Sequence, residues 1–266
     1  MKIAIVTGAS SGMGRECAIQ LADQFGGLSE IWLIARREER LKELEKQLPV
    51  PSRSLALDLT KEEDLKKLSG LLKQEQPQVK FLINASGYGK IGSVGSVSLE
   101  EETGMVALNC EALCAVTHLV LPYLCEKARI LQFASSAAFL PQPGFAVYAA
   151  TKAFVLSYSR ALNEELKPRG IKVTAVCPGP VKTEFFTIAE TTGKIPLYKR
   201  LTMANPARVV RLAIRDSILG KPVSVYGPLM KAFRLLTKVM PHGCLLKLMT
   251  SLSLSNVRQP DTKTGE

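Results

Sequence analysis

Long apolar runs are missing from this chain of 266 residues. No stretch approaches the roughly eighteen consecutive apolar residues of a membrane-spanning helix, and the longest, around Leu119 to Leu124, contains Pro122. At the start, Thr7-Gly8 ends the run Lys2-Ile3-Ala4-Ile5-Val6 too early for a secretory signal, so a cytoplasmic protein is expected. Histidine is scarce: His118 and His242 are the only two. The six cysteines (Cys17, Cys110, Cys114, Cys125, Cys177 and Cys244) form no CxxC pair. Cys110 and Cys114 share a helix face, but a zinc site needs more ligands at better spacing. No metal site is expected, and the thiols read as reduced and mostly buried.

Acidic residues are scarce at one end only. Residues 1–193 carry 22 Lys+Arg and 21 Asp+Glu, whereas 194–266 carry 13 basic residues against Asp216, Asp261 and Glu266. The net charge of +11 therefore belongs to the C-terminal quarter. Aromatics are few there and no recognition motif appears, so nucleic acid is not expected as a partner.

What is present is a core and an alternation. Hydrophobic residues make up 46% and charged residues 22%, which excludes collagen-like, coiled-coil and globally disordered chains. Apolar runs at 3–6, 31–35, 54–57, 81–84, 130–134, 173–177 and 223–226 read as strands. Amphipathic stretches at 13–25, 37–47, 61–74, 100–127, 148–167 and 205–219 read as helices between them. Continuous apolar strands alternating with helices imply a parallel sheet covered on both faces. Right-handed crossovers make it a doubly wound, Rossmann-like α/β fold. No linker interrupts it, so residues 1–266 are expected to form one domain with a frayed polar end from Asn256.

The first strand runs into Thr7-Gly8-Ala9-Ser10-Ser11-Gly12-Met13-Gly14, and a helix follows. Glycines there let the backbone approach a pyrophosphate at the helix N-terminus, where unpaired N–H groups and the dipole favour an anion. The spacing is GxxxGxG, not the commoner GxGxxG. After the second strand, folds of this kind that prefer NAD place an acid against the ribose hydroxyls. Here the residues are Ala35-Arg36-Arg37. A guanidinium pairs bidentately with a 2′-phosphate that an acid would repel. Arg36, with Arg15 as a second contact, therefore points to NADP(H).

Tyr148-Ala149-Ala150-Thr151-Lys152 puts a phenol and an ammonium on one helix face. A cation about 4 Å away at intermediate dielectric contributes ~4 kcal/mol, enough to move a phenol by up to about three pKa units. That brings Tyr148 into range as a general acid or base. The chain holds a second such match, Tyr123-Leu124-Cys125-Glu126-Lys127. Position separates them. Ser135 precedes Tyr148 at the carboxyl end of a strand, where doubly wound sheets place their sites; Cys110 holds the matching place before Tyr123, in mid-helix. Tyr123 reads as an ordinary helix-end residue.

Taken together these elements resemble the short-chain dehydrogenase/reductase family over nearly the whole chain. The matching residues are the glycine loop, Asp58, Asn84, Asn109, Ser135, Tyr148 with Lys152, and Pro178-Gly179-Pro180-Val181-Lys182-Thr183. The resemblance implies that Tyr148 exchanges a proton with the substrate oxygen while Ser135 hydrogen-bonds it. Lys152 would bind the nicotinamide ribose and lower the tyrosine pKa, and Asn109 would hold a relay water. It further implies that Asp58 and the Leu59 N–H meet adenine, and that Val181 and Thr183 meet the nicotinamide amide. Asn84-Ala85-Ser86-Gly87 would pass the adenosine ribose; the family usually shows Asn-Asn-Ala-Gly, so its second asparagine is replaced. A homodimer or homotetramer is the family's habit.

For the substrate, Phe139, Leu140, Phe145, Phe185, Phe186 and Tyr198 cluster in sequence around these motifs, with 183–204 expected as a lid. A hydrophobic ketone or secondary alcohol fits, whether sterol-like, acyl or aryl. Residues 228–255 are expected to be a basic amphipathic extension. Its stripe is Leu229, Phe233, Leu236 and Met240, with Lys231, Arg234 and Lys238 opposite. Such a helix can lie on an anionic membrane, close a lid or join subunits. Two rival functions are a dinucleotide sensor without turnover, which the intact Ser-Tyr-Lys set disfavours, and a peripheral membrane-binding protein.

Overall fold

Alternation at period two decides which face of the sheet each strand residue serves. In β1 (Lys2–Thr7), Ala4 and Val6 point to one buried layer and Ile3 and Ile5 to the other. Both layers are dry, which is why the strands read as continuous apolar runs. The computed structural model describes residues 1–193 and 203–247.

The chain continues through α1 (Gly12–Gln24), β2 (Glu30–Ala35), α2 (Glu38–Glu45), β3 (Ser52–Ala56), α3 (Glu62–Glu75) and β4 (Gln78–Asn84). Next come α4 (Leu99–Val106), a π-turn over Ala107–Glu111, α5 (Ala112–Val120), β5 (Leu124–Phe133), α6 (Ala146–Glu165) and β6 (Lys172–Val176). The described part ends with α7 (Glu184–Ala189), α8 (Pro206–Ile218), β7 (Val223–Ser224) and α9 (Pro228–Val239). The seven strands pair in the order β3-β2-β1-β4-β5-β6-β7, all parallel. One layer is built from Cys17, Leu21, Leu41, Leu44, Val210 and Ile214, so α1, α2 and α8 cover that face. Leu68, Leu72, Val116, Val120, Leu162 and Leu166 bring α3, α5 and α6 onto the other. The winding reverses between β1 and β4, which opens a crevice above their carboxyl ends.

The helix expected over 100–127 is shorter and bent. A π-turn interrupts it, and a 3₁₀ turn over Leu121–Tyr123 ends it. Pro122 cannot donate to the helix, and Leu124, Ala128 and Ile130 then bury as strand β5. Leu99–Tyr123 is long and apolar enough to cross a membrane by length and composition. Here it forms a layer of the fold instead: Asn109 and Thr117 sit in its buried face, and Glu100, Glu101, Glu102 and Glu111 line its flanks. At the C-terminal side, α9 forms as the stripe requires, but Phe233 packs inward beside Phe139 while Leu229, Leu236 and Met240 stay exposed.

Candidate active site

The loop from β1 to α1 turns over the carboxyl end of β4. Gly8 holds φ +68, and a Cβ there would stand 2.7 Å from the Ala85 carbonyl oxygen, so only glycine passes. Thr7 Oγ1 closes the same junction by accepting from the backbone N–H groups of Ala85 at 3.1 Å and Ser86 at 3.2 Å. Ser11 stands at the N-cap of α1 without a side-chain capping bond, which leaves the first N–H groups turned to the cleft. Gly8, Ser10, Ser11, Gly12, Met13 and Gly14 line that cleft. So do Arg36, Asp58 and Leu59, and, from the β4 loop, Ala85, Ser86 and Gly87.

Two expected contacts, Arg15 and Asn84, lie outside that lining. Arg15 leaves the cleft, and its guanidinium donates to Gln47 Oε1 at 2.5 Å. Asn84 is buried under the loop, donating to Thr117 Oγ1 and Gln132 Oε1 at 3.0 Å each, so it braces β4 against β5 and α5. One oxygen of Asp58 is already used, accepting from the Thr60 N–H at 3.1 Å and hydroxyl at 2.7 Å. On the β2 side Arg37 lines the cleft beside the expected Arg36. Arg36 is exposed at the rim, while Arg37 reaches across the loop to Ser10 Oγ at 3.1 Å and Ser11 Oγ at 2.9 Å. It also grips both carboxylate oxygens of Glu184, at 2.9 and 2.8 Å. A partner 147 positions away leaves no local signal.

Deeper in the cleft, Tyr148 and Lys152 lie buried on α6, one turn apart. Ser135 follows β5 and lines the chamber together with Tyr148. Its Oγ accepts from the Ala137 N–H at 3.1 Å, which fixes the hydroxyl above the strand. Lys152 Nζ donates to the Phe133 carbonyl at 2.9 Å and stands 5.6 Å from the centroid of the tyrosine ring. Asn109 sits in the π-turn. Its Oδ1 accepts from the Tyr88 N–H at 3.0 Å, and its Nδ2 donates to the Tyr88 carbonyl at 2.9 Å and Thr151 Oγ1 at 3.0 Å. These groups meet at Gly87, where a Cβ would lie 2.8 Å from Asn109 Oδ1 and 3.3 Å from Lys152 Nζ.

The electrostatics differ from the expectation that Lys152 lowers the phenol. Burial pushes Tyr148 up to about 12, against a smaller downward pull from Ser135. Burial likewise pushes Lys152 down to about 8. Each charged form is costly at this buried position, and desolvation is the largest cause of both shifts. The phenol is therefore held as an acid, protonated across the neutral range.

Beside Tyr148 opens a chamber lined by Ser135, Phe145, Phe185, Phe186, Gln142, Met13 and residues 178–181. Phe145 stacks on the tyrosine ring at 4.3 Å, and Phe185 tilts against it at 5.3 Å. Thr183 faces both cleft and chamber; Pro178, Gly179 and Val181 line the chamber alone. Phe139 is set apart from it, buried between Phe233 at 6.4 Å and Arg234 at 5.9 Å. Leu140 is buried as well, and Tyr198 falls outside the described residues.

A family model described as short chain dehydrogenase matches residues 2–192. This chain belongs to the short-chain dehydrogenase/reductase family. In this chain Ser135, Tyr148 and Lys152, the residues expected to carry the chemistry, lie together at the carboxyl end of β5. Among its relatives, sulfoacetaldehyde reductase 2 of Chromohalobacter salexigens is 36% identical over 84% of this chain and 91% of its own. A short-chain dehydrogenase from Sphingobium yanoikuyae, solved in complex with NADPH, superposes with a TM-score of 0.76 at 28% identity, over 99% of both chains. The bulky-bulky ketone specific alcohol dehydrogenase from Comamonas testosteroni does so with a TM-score of 0.71 at 26% identity, over 98% and 97%.

Proposed function

We propose that this short-chain dehydrogenase/reductase uses NADP(H) to interconvert a bulky apolar ketone and its secondary alcohol. The cleft fits a dinucleotide phosphate: the uncapped start of α1, the Ser10 and Ser11 hydroxyls, and two arginines at the end of β2 converge where an acid would otherwise stand. The NADPH complex of the Sphingobium neighbour supports the same choice. Arg36, Arg37 and Ser10 would hold the 2′-phosphate, and Lys152 would reach the second ribose. Bound there, the cofactor supplies or accepts hydride at the carbonyl carbon. In the reductive direction Ser135 orients the carbonyl oxygen and Tyr148 Oη gives it a proton. Lys152 offsets the phenolate left behind.

The observation that carries the substrate class is the chamber. Among the described residues its lining holds no charged side chain, and three phenylalanines enclose it. A sulfonate or an amino acid would be desolvated there with no cation among the described lining residues to pair it, at a cost no apolar contact returns. The specificity printed for the Comamonas neighbour supports a bulky ketone. The test is NADPH oxidation against steroid, acyl and aryl ketones beside sulfoacetaldehyde, with serine and NADP⁺ in the oxidative direction. Turnover confined to the small charged substrates overturns the reading.

We further propose that the enzyme works from the cytoplasm at an anionic membrane surface, through α9. Leu229, Leu235, Leu236, Val239 and Met240 are exposed along one side of that helix, and Lys231 and Lys238 flank them. An apolar arc bordered by ammonium groups matches acyl chains beneath acidic headgroups. Subunit pairing fits a different surface, the outer sides of α4 and α6, where Val106 and Phe154 are exposed. Sedimentation of a homodimer or homotetramer would support that pairing, and a monomer would exclude it.

A further inference from the structure

The anion cradle at the end of β2 is filled by the protein's own carboxylate. Arg37 directs Nη1 and Nη2 at the two oxygens of Glu184, at 2.9 and 2.8 Å. Its Nε and Nη2 also reach Ser10 Oγ, at 3.3 and 3.1 Å. Arg40 adds contacts to the same carboxylate at 3.1 and 3.2 Å. A guanidinium has two bidentate edges; on Arg37 the Glu184 carboxylate holds one and the Ser10 hydroxyl the other, so a 2′-phosphate must displace one of them, and of the two only the carboxylate also repels it. The arginines keep Glu184 ionised, Arg37 first among them, with its carboxyl lowered to about 2.

Glu184 is also the first residue of α7, which runs beside the catalytic tyrosine: Phe185 lies against Tyr148, and Ile188 lines the cleft. Beyond its far end, the helix is tied to the opposite rim. Lys90 Nζ donates to Thr191 Oγ1 at 2.6 Å and pairs with Glu101 at 2.7 Å, and the Ile91 N–H donates to the Ala189 carbonyl at 3.3 Å. The helix is thus a strap across the cleft. One fastening is ordinary, and the other is made from the groups a 2′-phosphate needs.

We propose that Glu184 is a specificity-determining residue that stands in for the 2′-phosphate. It occupies Arg37 and Arg40 until a phosphorylated ribose displaces it, so that only an NADP-type nucleotide unfastens this end of α7. The inference rests on the NADP(H) reading above. An unphosphorylated ribose offers the arginines nothing in exchange for the carboxylate, and the fastening persists.

Calorimetric titration with 2′,5′-ADP and with 5′-ADP tests this without hydride transfer. In the wild type, 2′,5′-ADP should bind more tightly than 5′-ADP; equal binding would refute the NADP(H) reading itself. Glu184→Gln keeps the shape and removes the charge. It should bind 2′,5′-ADP roughly three- to tenfold more tightly, the scale of releasing one or two half-exposed charge pairs, and leave 5′-ADP unchanged. Thr191→Val loosens the far fastening only and should change neither ligand. If Glu184→Gln leaves 2′,5′-ADP unchanged or weaker while the wild type prefers it, Glu184 is no competitor and the proposal falls alone. An equal gain in Thr191→Val would assign the effect to a looser strap and overturn it too. Should Glu184→Gln misfold, Glu184→Asp, one methylene shorter, should show a smaller gain of the same sign.

Discussion

Two tyrosines in this chain are followed four residues later by lysine, and they lie at opposite ends of the sheet. Tyr148 and Lys152 sit on an unbroken helix beside the carboxyl end of β5, under Ser135. Tyr123 closes a 3₁₀ turn at the amino end of the same strand, and Lys127, at φ +56, is already part of that strand. Four residues of helix superpose two side chains; four residues that cross from a turn into a strand part them. The surroundings differ as much. At the carboxyl end the parallel strands stop together, loops diverge on either side of β1 and β4, and a cleft gathers hydroxyls, amides and guanidinium groups above the buried Tyr148 and Lys152. At the amino end Arg129 and Arg169 simply satisfy the carbonyls of Lys127, Ala128, Leu121 and Leu124. A spacing becomes chemistry only where the backbone makes it a contact and the fold makes the contact dry.

The largest test of that contrast is removal of each phenol. Tyr148→Phe takes away the proton that reaches the substrate oxygen, and general acid catalysis contributes about a hundred- to ten-thousandfold. Turnover should fall by at least that lower figure while nucleotide binding stays within a few fold. Tyr123→Phe should leave kcat within twofold. Comparable losses in both, in variants with wild-type melting curves, would erase the distinction between the two ends.

A second test stays at the carboxyl end and asks which arginine does the work there. Charge-assisted pairs contribute about 1.5–3 kcal/mol, or roughly ten- to a hundredfold in affinity. Arg37→Ala should weaken NADPH by that factor and spare NADH, and Arg36→Ala should do so to a lesser degree. Arg15→Ala should do neither, since that side chain is turned to Gln47. Equal loss of both nucleotides on Arg37→Ala would mean that it builds the loop and does not read the phosphate.

The sequence marked out what depends on short-range order. Strands 31–35 and 81–84, the glycine loop, the Tyr148–Lys152 pair and Ser135 rest on local pattern; the strands lie in the sheet, the glycine loop, Tyr148 and Lys152 line the cleft, and Ser135 lines the chamber beside it. What pattern left hidden depends on distant partners or on burial. Nothing near Glu184 announces Arg37, and nothing near Asn84 announces Gln132. Phe139 and Phe145 look alike in sequence, yet one is core against α9 and the other stacks on the Tyr148 ring. The continuous helix expected to 127 failed because Pro122 and the burial of Leu124 override a helical periodicity.

The site's pH dependence sharpens the contrast in another way. Tyr148, held near 12, stays protonated through the neutral range, so it sets no limb there. Lys152, lowered to about 8 by burial, does. Its ammonium offsets the phenolate formed as Tyr148 gives up its proton, so the charged form is the active one. Reduction should be sustained below pH 8 and fall about tenfold per pH unit above it. Lys152→Arg keeps a cation at every accessible pH and should lack this limb even if its rate is lower. An alkaline limb near pH 8 that survives in Lys152→Arg would assign it to another group.

The smallest expected effect lies outside both ends of the strand, on α9. There the basic excess meets an exposed apolar arc instead of a cleft. Phe233 and Arg234 face inward against Phe139, so the helix is anchored by one side and offers the other. If that other side meets acidic lipid, each lysine near the surface contributes about 1 kcal/mol, close to a fivefold change in partitioning. The attraction is screened over a Debye length of ~8 Å at physiological salt. Replacing Lys231 and Lys238 with Gln should lower binding to anionic vesicles by about that factor per residue at low salt, and by less as salt rises. Leu235→Ser with Val239→Ser should lower it at all salt concentrations, because the acyl contact is not screened. Neither pair touches the Tyr148 site, so turnover of a water-soluble ketone should hold. A changed KM would make α9 a lid over the chamber, and a changed elution volume would make it a subunit contact. Wild-type protein that ignores anionic vesicles at low salt would remove the membrane from the account.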